Sequence, residues 1–248
     1  MIDVTLLLLG TGVFLLAGMV KGVIGLGLPT VSLGLMTLVL DLPSAMALMA
    51  APSLVTNLWQ ASVGGHTREV FLRIWPFLAV ATATVWIGAQ GLNTFDLNWL
   101  TMLLGLLLVT YAGLNIAGVR ITIDRAGEPW AAPCFGLANG MLTGLTGSFV
   151  VPGVMFLQAI GLPREQLVQA MGMLFTLSTL AVAATLGTQG MWTVELGWMS
   201  LAAIIPAIYG MILGTWARKR LSEAMFRRLF FYALLALGLW IVIRSLVT

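Results

Sequence analysis

Long apolar runs separated by short polar connectors dominate the chain. We identify ten apolar segments, at residues 4–20, 22–40, 44–63, 72–92, 99–119, 131–146, 148–160, 166–189, 196–217 and 229–247. Runs such as the one from Leu100 to Val119 are as long as a helix must be to cross a hydrocarbon core of about 30 Å. The runs lack the alternation of a membrane β-barrel strand. The pattern therefore predicts an all-α polytopic membrane protein.

Composition strengthens the membrane assignment. The chain of 248 residues is 60% hydrophobic and only 8% charged, whereas a soluble domain carries about 25% charged residues. A water-facing surface cannot be built from so few charges, while a lipid-facing surface requires their absence. We therefore expect about 8–10 transmembrane segments, some of them broken or re-entrant.

The basic residues divide unevenly between the connectors. If the segments alternate in direction, the odd-numbered connectors hold 11 of the 12 basic residues, namely Lys21, Arg68, Arg73, Arg120, Arg125, Arg164, Arg218, Lys219, Arg220, Arg227 and Arg228. The even-numbered connectors hold acids such as Asp41 and Asp96, and Arg244 falls on their side. Because positive residues concentrate in cytoplasmic loops, we expect the odd connectors in the cytoplasm and both termini outside.

A glycine-rich segment occurs twice. Residues 18–25 (GMVKGVIG) and 140–147 (GMLTGLTG) share three glycines and one methionine at equivalent positions. Further matches follow in the same order, namely Leu42-Pro43 with Leu162-Pro163, and Ala50, Leu54 and Thr56 with Ala170, Leu174 and Thr176. The preserved order indicates an internal duplication.

The duplication divides the chain into a first transmembrane repeat at residues 1–120, a cytoplasmic linker at 121–130 and a second repeat at 131–248. Each repeat holds five segments. Because five is odd, the second repeat enters the membrane with the opposite polarity, which predicts two inverted repeats. Gly-interrupted segments in corresponding halves of such proteins point to a substrate site near the midplane.

Two of the segments are too short to span. Residues 131–160 leave about 15 residues for each of the sixth and seventh segments, or about 22 Å of helix. We expect these two to form a hairpin or broken helices that reach the membrane interior, whereas the first and second segments are long enough to span. The inverted symmetry then brings the tips of both glycine segments together near the midplane.

The chain lacks the residue sets of an enzyme. It contains no intramembrane His–Glu pair, no Ser–His–Asp set and no phosphate-binding glycine loop, and its single cysteine and single histidine have no metal-ligand spacing around them. No Asp or Glu lies deep in a segment, which argues against a cation as substrate. We therefore expect no enzymatic activity, no cofactor and no metal.

The neutral donors around the glycines suit an anion. Glycines let backbone N–H groups approach a ligand, and helix N-termini carry a partial positive charge. The candidate substrate-binding residues are Lys21, Gly22, Gly25, Asn57, Gln60, Asn139, Thr143, Gly144, Thr146, Gly147, Ser148 and Gln169. Hydroxyl and amide donors of this kind can bind the several oxygens of sulfite or a sulfonate.

Each candidate has a structural alternative. Small residues in membrane helices often serve close packing, and Ser and Thr often bond to their own helix. Lys21 is either a cytoplasmic flank that follows the positive-inside rule or a buried cation that faces the anion. Phe149, Phe156 and Phe175 either line an aromatic pocket or pack in the core.

The glycine repeats, the Leu-Pro turn after each and the C-terminal pattern resemble the sulfite exporter TauE/SafE family. That pattern is Pro206-x3-Gly210-x3-Gly214, followed by Arg220-Leu221 and Phe226-Arg227-Arg228. The resemblance covers nearly the whole chain. It implies transport of sulfur-containing organic or inorganic anions across a bacterial cytoplasmic membrane, in either direction.

We therefore expect a secondary transporter that moves organosulfonate or sulfite anions by alternating access between the two repeats. The alternative is a passive anion channel, which would have a continuous pore and no saturation at modest concentration. The expected partners are a small anionic substrate and the lipid bilayer, with no nucleic acid, and a homodimer stays open. The expected location is the bacterial inner membrane.

Overall fold

The structure is a computed structural model that describes residues 4–119, 121–218, 220 and 222–247. The first half contains α1 (Val4–Ile24), α2 (Leu28–Met36), α3 (Leu42–Ser62), α4 (Thr67–Ala89), α5 (Gly91–Thr94) and α6 (Leu97–Ile116). The second contains α7 (Glu128–Thr146), α8 (Gly153–Ala159), α9 (Arg164–Thr188), α10 (Val194–Ala202), α11 (Ile204–Arg218) and α12 (Glu223–Val247). No strand occurs among the described residues.

Within the part of the chain that the structure describes, six stretches of helix are long and apolar enough to cross a membrane. They are Thr5–Ile24, Thr67–Thr94, Leu97–Ile116, Arg164–Thr188, Val194–Arg218 and Ala224–Val247. The prediction of an all-α, multi-pass membrane protein is confirmed. Helices α3 and α7 fall outside this set although they have 21 and 19 residues. Both carry buried amide side chains, Asn57 and Gln60 in α3 and Asn139 in α7.

One predicted segment is shorter than expected. The second segment was expected to be long enough to span, but α2 has only nine residues, or about 13 Å. The cause lies at its two ends. Gly27, with a φ of 113°, precedes α2, and the Asp41 side chain accepts a hydrogen bond from Ser44 N at 2.8 Å to begin α3. Helix α8, with seven residues, is short as the sequence predicts.

The two glycine segments end their helices in the same way. Gly25 has a φ of 87° and donates its N–H to Lys21 O at 2.7 Å. Gly147 has a φ of 71° and donates its N–H to Thr143 O at 2.7 Å. Only glycine adopts this left-handed conformation at little cost. Each glycine segment is therefore a helix end followed by a break, at equivalent positions of the two halves.

The two halves interleave. Helix α1 packs against α11 of the second half, and α7 packs against α4 of the first. The remaining large contacts join α3 with α9 and α6 with α12. The first helix of each half therefore packs against the fourth segment of the other half. The third segments of the two halves pack against each other, and so do the fifth segments.

Two arginines, Arg73 and Arg227, join helices at one end of the bundle, which we call the basic end. There Arg73 of α4 donates to Glu128 of α7 at 2.6 Å and to Ile160 O after α8 at 2.6 Å. Ile123 N, in the connector after α6, donates to Ala159 O at 2.8 Å, and Arg227 Nη2 of α12 donates to Asn115 Oδ1 of α6 at 3.1 Å. Three residues of the sequence patterns, Arg120, Lys219 and Leu221, lie outside the described residues.

Candidate functional site

Lys21 is buried in the last turn of α1. Its side chain is 4% exposed, and its Nζ donates to Thr56 Oγ1 at 3.1 Å and to Asn57 Oδ1, both on α3. The Thr56 hydroxyl itself donates to Pro52 O at 2.8 Å, so its oxygen is free to accept from the ammonium. The structure therefore supports the buried position of Lys21 over the solvated flank.

The charge of Lys21 has no acidic neighbour. None of the ion pairs among the described residues includes it, and both of its hydrogen-bond acceptors are neutral. A buried ion without a counter-charge costs several kcal/mol, roughly, even after relaxation. Beside it, Asn57 is fully buried and its Nδ2 has no hydrogen-bond partner among the described residues. The two groups form a positive, donor-rich spot in the core.

The second half supplies polar groups within α7 and just after its end. Asn139 is fully buried, and its Oδ1 accepts from Gly153 N at 2.9 Å, which ties the start of α8 to α7. Its Nδ2 has no partner among the described residues, and neither has the buried Ser148 Oγ. Both groups can still donate a hydrogen bond.

Two hydroxyls predicted as ligand donors are used by the fold. Thr143 Oγ1 donates to Ser148 O at 3.0 Å, and Thr146 Oγ1 donates to Leu142 O at 2.7 Å while accepting from Ser148 N at 3.2 Å. These bonds shape the chain as it leaves α7. Thr143 and Thr146 therefore build the break around Gly147 and have no hydroxyl hydrogen left for a ligand.

The two predicted glutamines also have structural partners. Gln60 Nε2 donates to Val168 O at 2.7 Å, and Gln169 Nε2 donates to Ala61 O at 2.9 Å and to Thr67 Oγ1 at 2.7 Å. This reciprocal pair holds α3 against α9. Both glutamines therefore have a structural role between helices, and their role as donors to an anion stays a prediction.

Two predicted glycines lie in helix–helix contacts. A Cβ on Gly22 would overlap Met211 O of α11, and a Cβ on Gly144 would overlap Val85 O of α4. Both glycines therefore allow two backbones to approach closely, as small residues do in membrane proteins. The packing alternative accounts for Gly22 and Gly144, whereas Gly25 and Gly147 form the breaks.

Helices α3 and α9 contact both halves of the site. On α9, Val168 lies 3.7 Å from where a Cβ on Gly25 would be, and Leu174 lies 3.0 Å from where a Cβ on Gly153 would be. These two positions are six residues apart in α9, which is about 9 Å along a helix. On α3, Met46 lies beside Gly147 and Asn57 bonds to Lys21, and these two positions are 11 residues apart, or about 16 Å along the helix. The two breaks therefore meet the same central helix pair.

The sequence reading missed some polar residues of this core. Thr56 accepts from Lys21, and its equivalence to Thr176 in the repeat is a signal that could have found it. Ser53 on α3 and Ser178 and Thr179 on α9 are buried with hydroxyls that lack a partner among the described residues. Nothing in the local sequence separates them from other small residues of a membrane helix.

The aromatic candidates belong to the packed core. Phe149 and Phe175 are buried with ring centroids 5.7 Å apart, and Phe156 stacks near Phe77 with centroids 4.6 Å apart. Within the described residues, no group of His, Cys, Asp and Glu is arranged to hold a metal ion.

Comparison with known proteins identifies the family to which this chain belongs. The sulfite exporter TauE/SafE family model matches residues 10–241. No curated protein and no solved structure matches the chain. The match covers both glycine breaks, the central pair α3 and α9 and most of α12. The chain therefore belongs to the sulfite exporter TauE/SafE family, whose members are membrane transporters of sulfite-like and sulfonate-like anions.

Proposed function

We propose that this protein is a secondary transporter that moves organosulfonate or sulfite anions across a bacterial cytoplasmic membrane by alternating access. The family match supports the substrate class. The observation that carries the proposal is Lys21, a buried lysine amine whose hydrogen-bond acceptors are both neutral. A bound anion supplies the counter-charge that the fold leaves out.

The proposed site combines groups from both halves. Lys21 and Asn57 Nδ2 contribute from the first half, and Asn139 Nδ2 and Ser148 Oγ contribute from the second. Each can donate a hydrogen bond. Lys21 and Ser148 lie close in sequence to the Gly25 and Gly147 breaks, Asn57 is on α3, and Asn139 bonds to Gly153 at the start of α8. An ionised sulfonate or sulfite accepts hydrogen bonds and has none to donate. A site that offers several donors therefore fits it. Gly22, Gly144, Gln60 and Gln169 are left out of this site because the fold already uses them.

The architecture supports a two-state mechanism. We propose that residues 1–120 and 131–248 are inverted repeats joined by a linker at 121–130. The reciprocal packing of α1 on α11 and of α7 on α4 supports this relation. Two equivalent arrangements of such halves would expose one site to opposite sides of the membrane in turn.

Burial favours alternating access over a channel. Asn57 and Asn139 are 0% exposed, and Lys21 is 4% exposed. A channel needs a continuous water-filled path past these groups, whereas a transporter passes through closed states.

The test is transport by the purified protein in proteoliposomes. We expect saturable uptake of a radiolabelled alkylsulfonate. Sulfite should inhibit this uptake competitively, and acetate should not. Flux that rises linearly with concentration would replace the transporter by a channel. Uptake of carboxylates alone would overturn the substrate class, and the absence of any sulfonate or sulfite flux would overturn both forms of the proposal.

A further inference from the structure

The basic end contains a polar cavity of about 470 Å³ that is separate from Lys21. We call it the basic-end cavity. Its walls come from the end of α6, the connector after it, α8, α9 and the start of α12, with Asn115, Thr122, Gln158, Leu167 and Arg227 among the lining residues. The volume is large enough for a small organic anion with some of its water.

Arg227 gives this cavity a positive charge. Its Nη2 donates to Asn115 Oδ1 at 3.1 Å, and its guanidinium carbon lies 5.5 Å from the centre of the Phe231 ring. Asn115 is itself oriented by a bond from Nδ2 to Tyr111 O at 2.9 Å. No ion pair among the described residues includes Arg227. The arginine is therefore held in position by neutral groups, with further N–H donors of its planar fork available to an oxyanion.

A thin wall separates the cavity from the core site. Leu167 lines the cavity, and the next residue, Val168, lies beside the Gly25 break and accepts from Gln60. Gly25 in turn bonds to Lys21 O. From the other half, α8 begins at Gly153, which bonds to Asn139, and reaches the cavity at Gln158. Helices α8 and α9 therefore contact both the cavity and the elements of the core site.

The opposite end of the bundle differs in charge. A second cavity of about 440 Å³ lies there between the end of α2, the start of α6 and the end of α12. It is lined by Arg244 but also by Asp96. An acid and a base in one cavity offset each other toward an anion, whereas the described lining of the basic-end cavity has Arg227 and no acid.

We propose that the basic-end cavity is a recruitment site, at which Arg227 and Asn115 bind the sulfonate or sulfite group before it enters the core. This inference rests on the proposed function. Its ligand class is a small oxyanion, and the same chemistry would also accept the phosphate of an anionic lipid headgroup, so the test separates the two.

The test uses charged thiol reagents on the full-length protein. Thr122, an exposed lining residue, is changed to cysteine in a Cys134→Ser background, since Cys134 is exposed. The probes are 2-sulfonatoethyl methanethiosulfonate, itself a sulfonate, and its trimethylammonium analogue. We measure the ratio of the anionic to the cationic labelling rate in zwitterionic nanodiscs.

Arg227→Gln should lower this ratio about tenfold, because a charge that lines the same cavity acts on the two probes in opposite senses. Arg227→Lys should keep most of the ratio. Arg228→Gln, which removes the exposed neighbouring charge that does not line the cavity, should change it less than about twofold. An unchanged ratio in Arg227→Gln, or an equal fall in Arg228→Gln, would overturn the proposal.

Two further measurements identify the ligand. Methanesulfonate should slow labelling by both probes in the parent protein and not in Arg227→Gln, and a lack of protection would count against recruitment. If phosphatidylglycerol in the nanodisc slows labelling through Arg227, the cavity holds a lipid headgroup and the proposal is wrong. Labelling requires no transport, so the two proposals can fail separately. If the labelling ratio and the protection by methanesulfonate are as expected but the protein moves no sulfonate, only the proposed function is contradicted.

Discussion

At the scale of single residues, the core combines a buried cation with donors that have no partners. Lys21 bonds to Thr56 and Asn57, and Asn139 bonds through its oxygen to Gly153. Unsatisfied buried groups are costly and rare in folded proteins. The proposed anion site gives three of these donors, Asn57 Nδ2, Asn139 Nδ2 and Ser148 Oγ, a partner.

Lys21→Met separates a role in anion binding from a role in packing. We expect sulfonate uptake to fall at least about tenfold, since the variant loses the charge that binds the anion, one charge-assisted hydrogen bond being worth about 1.5–3 kcal/mol. The unfolding temperature in detergent should change little, because relief from desolvating a buried charge offsets the loss of the donor to Asn57 Oδ1. Arg68→Gln, an exposed arginine at the basic end, should leave both values unchanged. A large loss of stability in Lys21→Met would instead indicate a structural role.

Ser148→Ala tests the second half of the site. The Ser148 hydroxyl is buried without a partner among the described residues, so removing it should not lower stability. We expect the KM for a sulfonate to rise about three- to tenfold, the value of one hydrogen bond of roughly 1 kcal/mol. Ser32→Ala is the matched control, because the buried Ser32 hydroxyl bonds to Leu28 O within α2. If both variants transport alike, Ser148 does not contact the substrate.

The residue types around the site could be predicted, but their hydrogen bonds could not. Asn57 and Asn139 stand out because amides are rare in apolar segments, and both prove to be buried with an unused Nδ2. Gln60 and Gln169 stand out equally, yet they join α3 to α9. The two pairs differ only in what lies opposite them, and sequence spacing carries no information on that.

At the scale of helices, the close approach of two helices depends on glycines that face the backbone of the neighbouring helix. Gly18 and Gly22 of α1 lie against the backbone of α11, and Gly140 and Gly144 of α7 lie against that of α4. The sequence shows these glycines at matching positions of the two similar segments, 18–25 and 140–147. It does not show that they contact the opposite half, because glycines with the same spacing could also face a helix of their own half.

Gly144→Ala should therefore destabilise the protein. The added Cβ meets Val85 O, which is backbone and cannot rotate away, so α4 and α7 must move apart, at a cost of about 1–3 kcal/mol. In Gly113→Ala, by contrast, nothing lies within 4 Å of the added Cβ, and the better helix propensity should raise stability by up to about 1 kcal/mol. Unfolding temperatures of the purified proteins measure both changes. Equal temperatures would show that the α4–α7 contact tolerates a wider spacing.

At the scale of the whole molecule, α6 and α12 lie side by side and define two ends. Asn115 accepts from Arg227 at the basic end, and Asn98 donates to Ser245 O at the other, at 2.8 Å. The two asparagines are 17 residues apart in α6, or about 25 Å, which is close to the thickness of a hydrocarbon core.

Labelling from one side of the membrane tests this arrangement. In the Cys134→Ser background, a cysteine at Thr122 should react with a membrane-impermeant reagent from the cytoplasmic side. A cysteine at Ser245, which lines the cavity at the other end, should react from outside, because the positive-inside rule assigns the basic end to the cytoplasm. Intact cells and inverted vesicles provide the two sides. Labelling of both positions from the same side would contradict the predicted topology.

The sequence by itself determined the class of molecule. Apolar segments of membrane-spanning length predicted the all-α membrane fold, and the doubled glycine segment predicted broken helices without giving the positions of the breaks. Such features are local, because segment length and backbone conformation depend on nearby residues. The tertiary structure alone decided that the halves interleave, that α2 is a half-helix, that Lys21 is buried beside Asn57, and which glycines and amides pack helices together. These outcomes depend on which helix faces which, and that is set by the packing of distant segments.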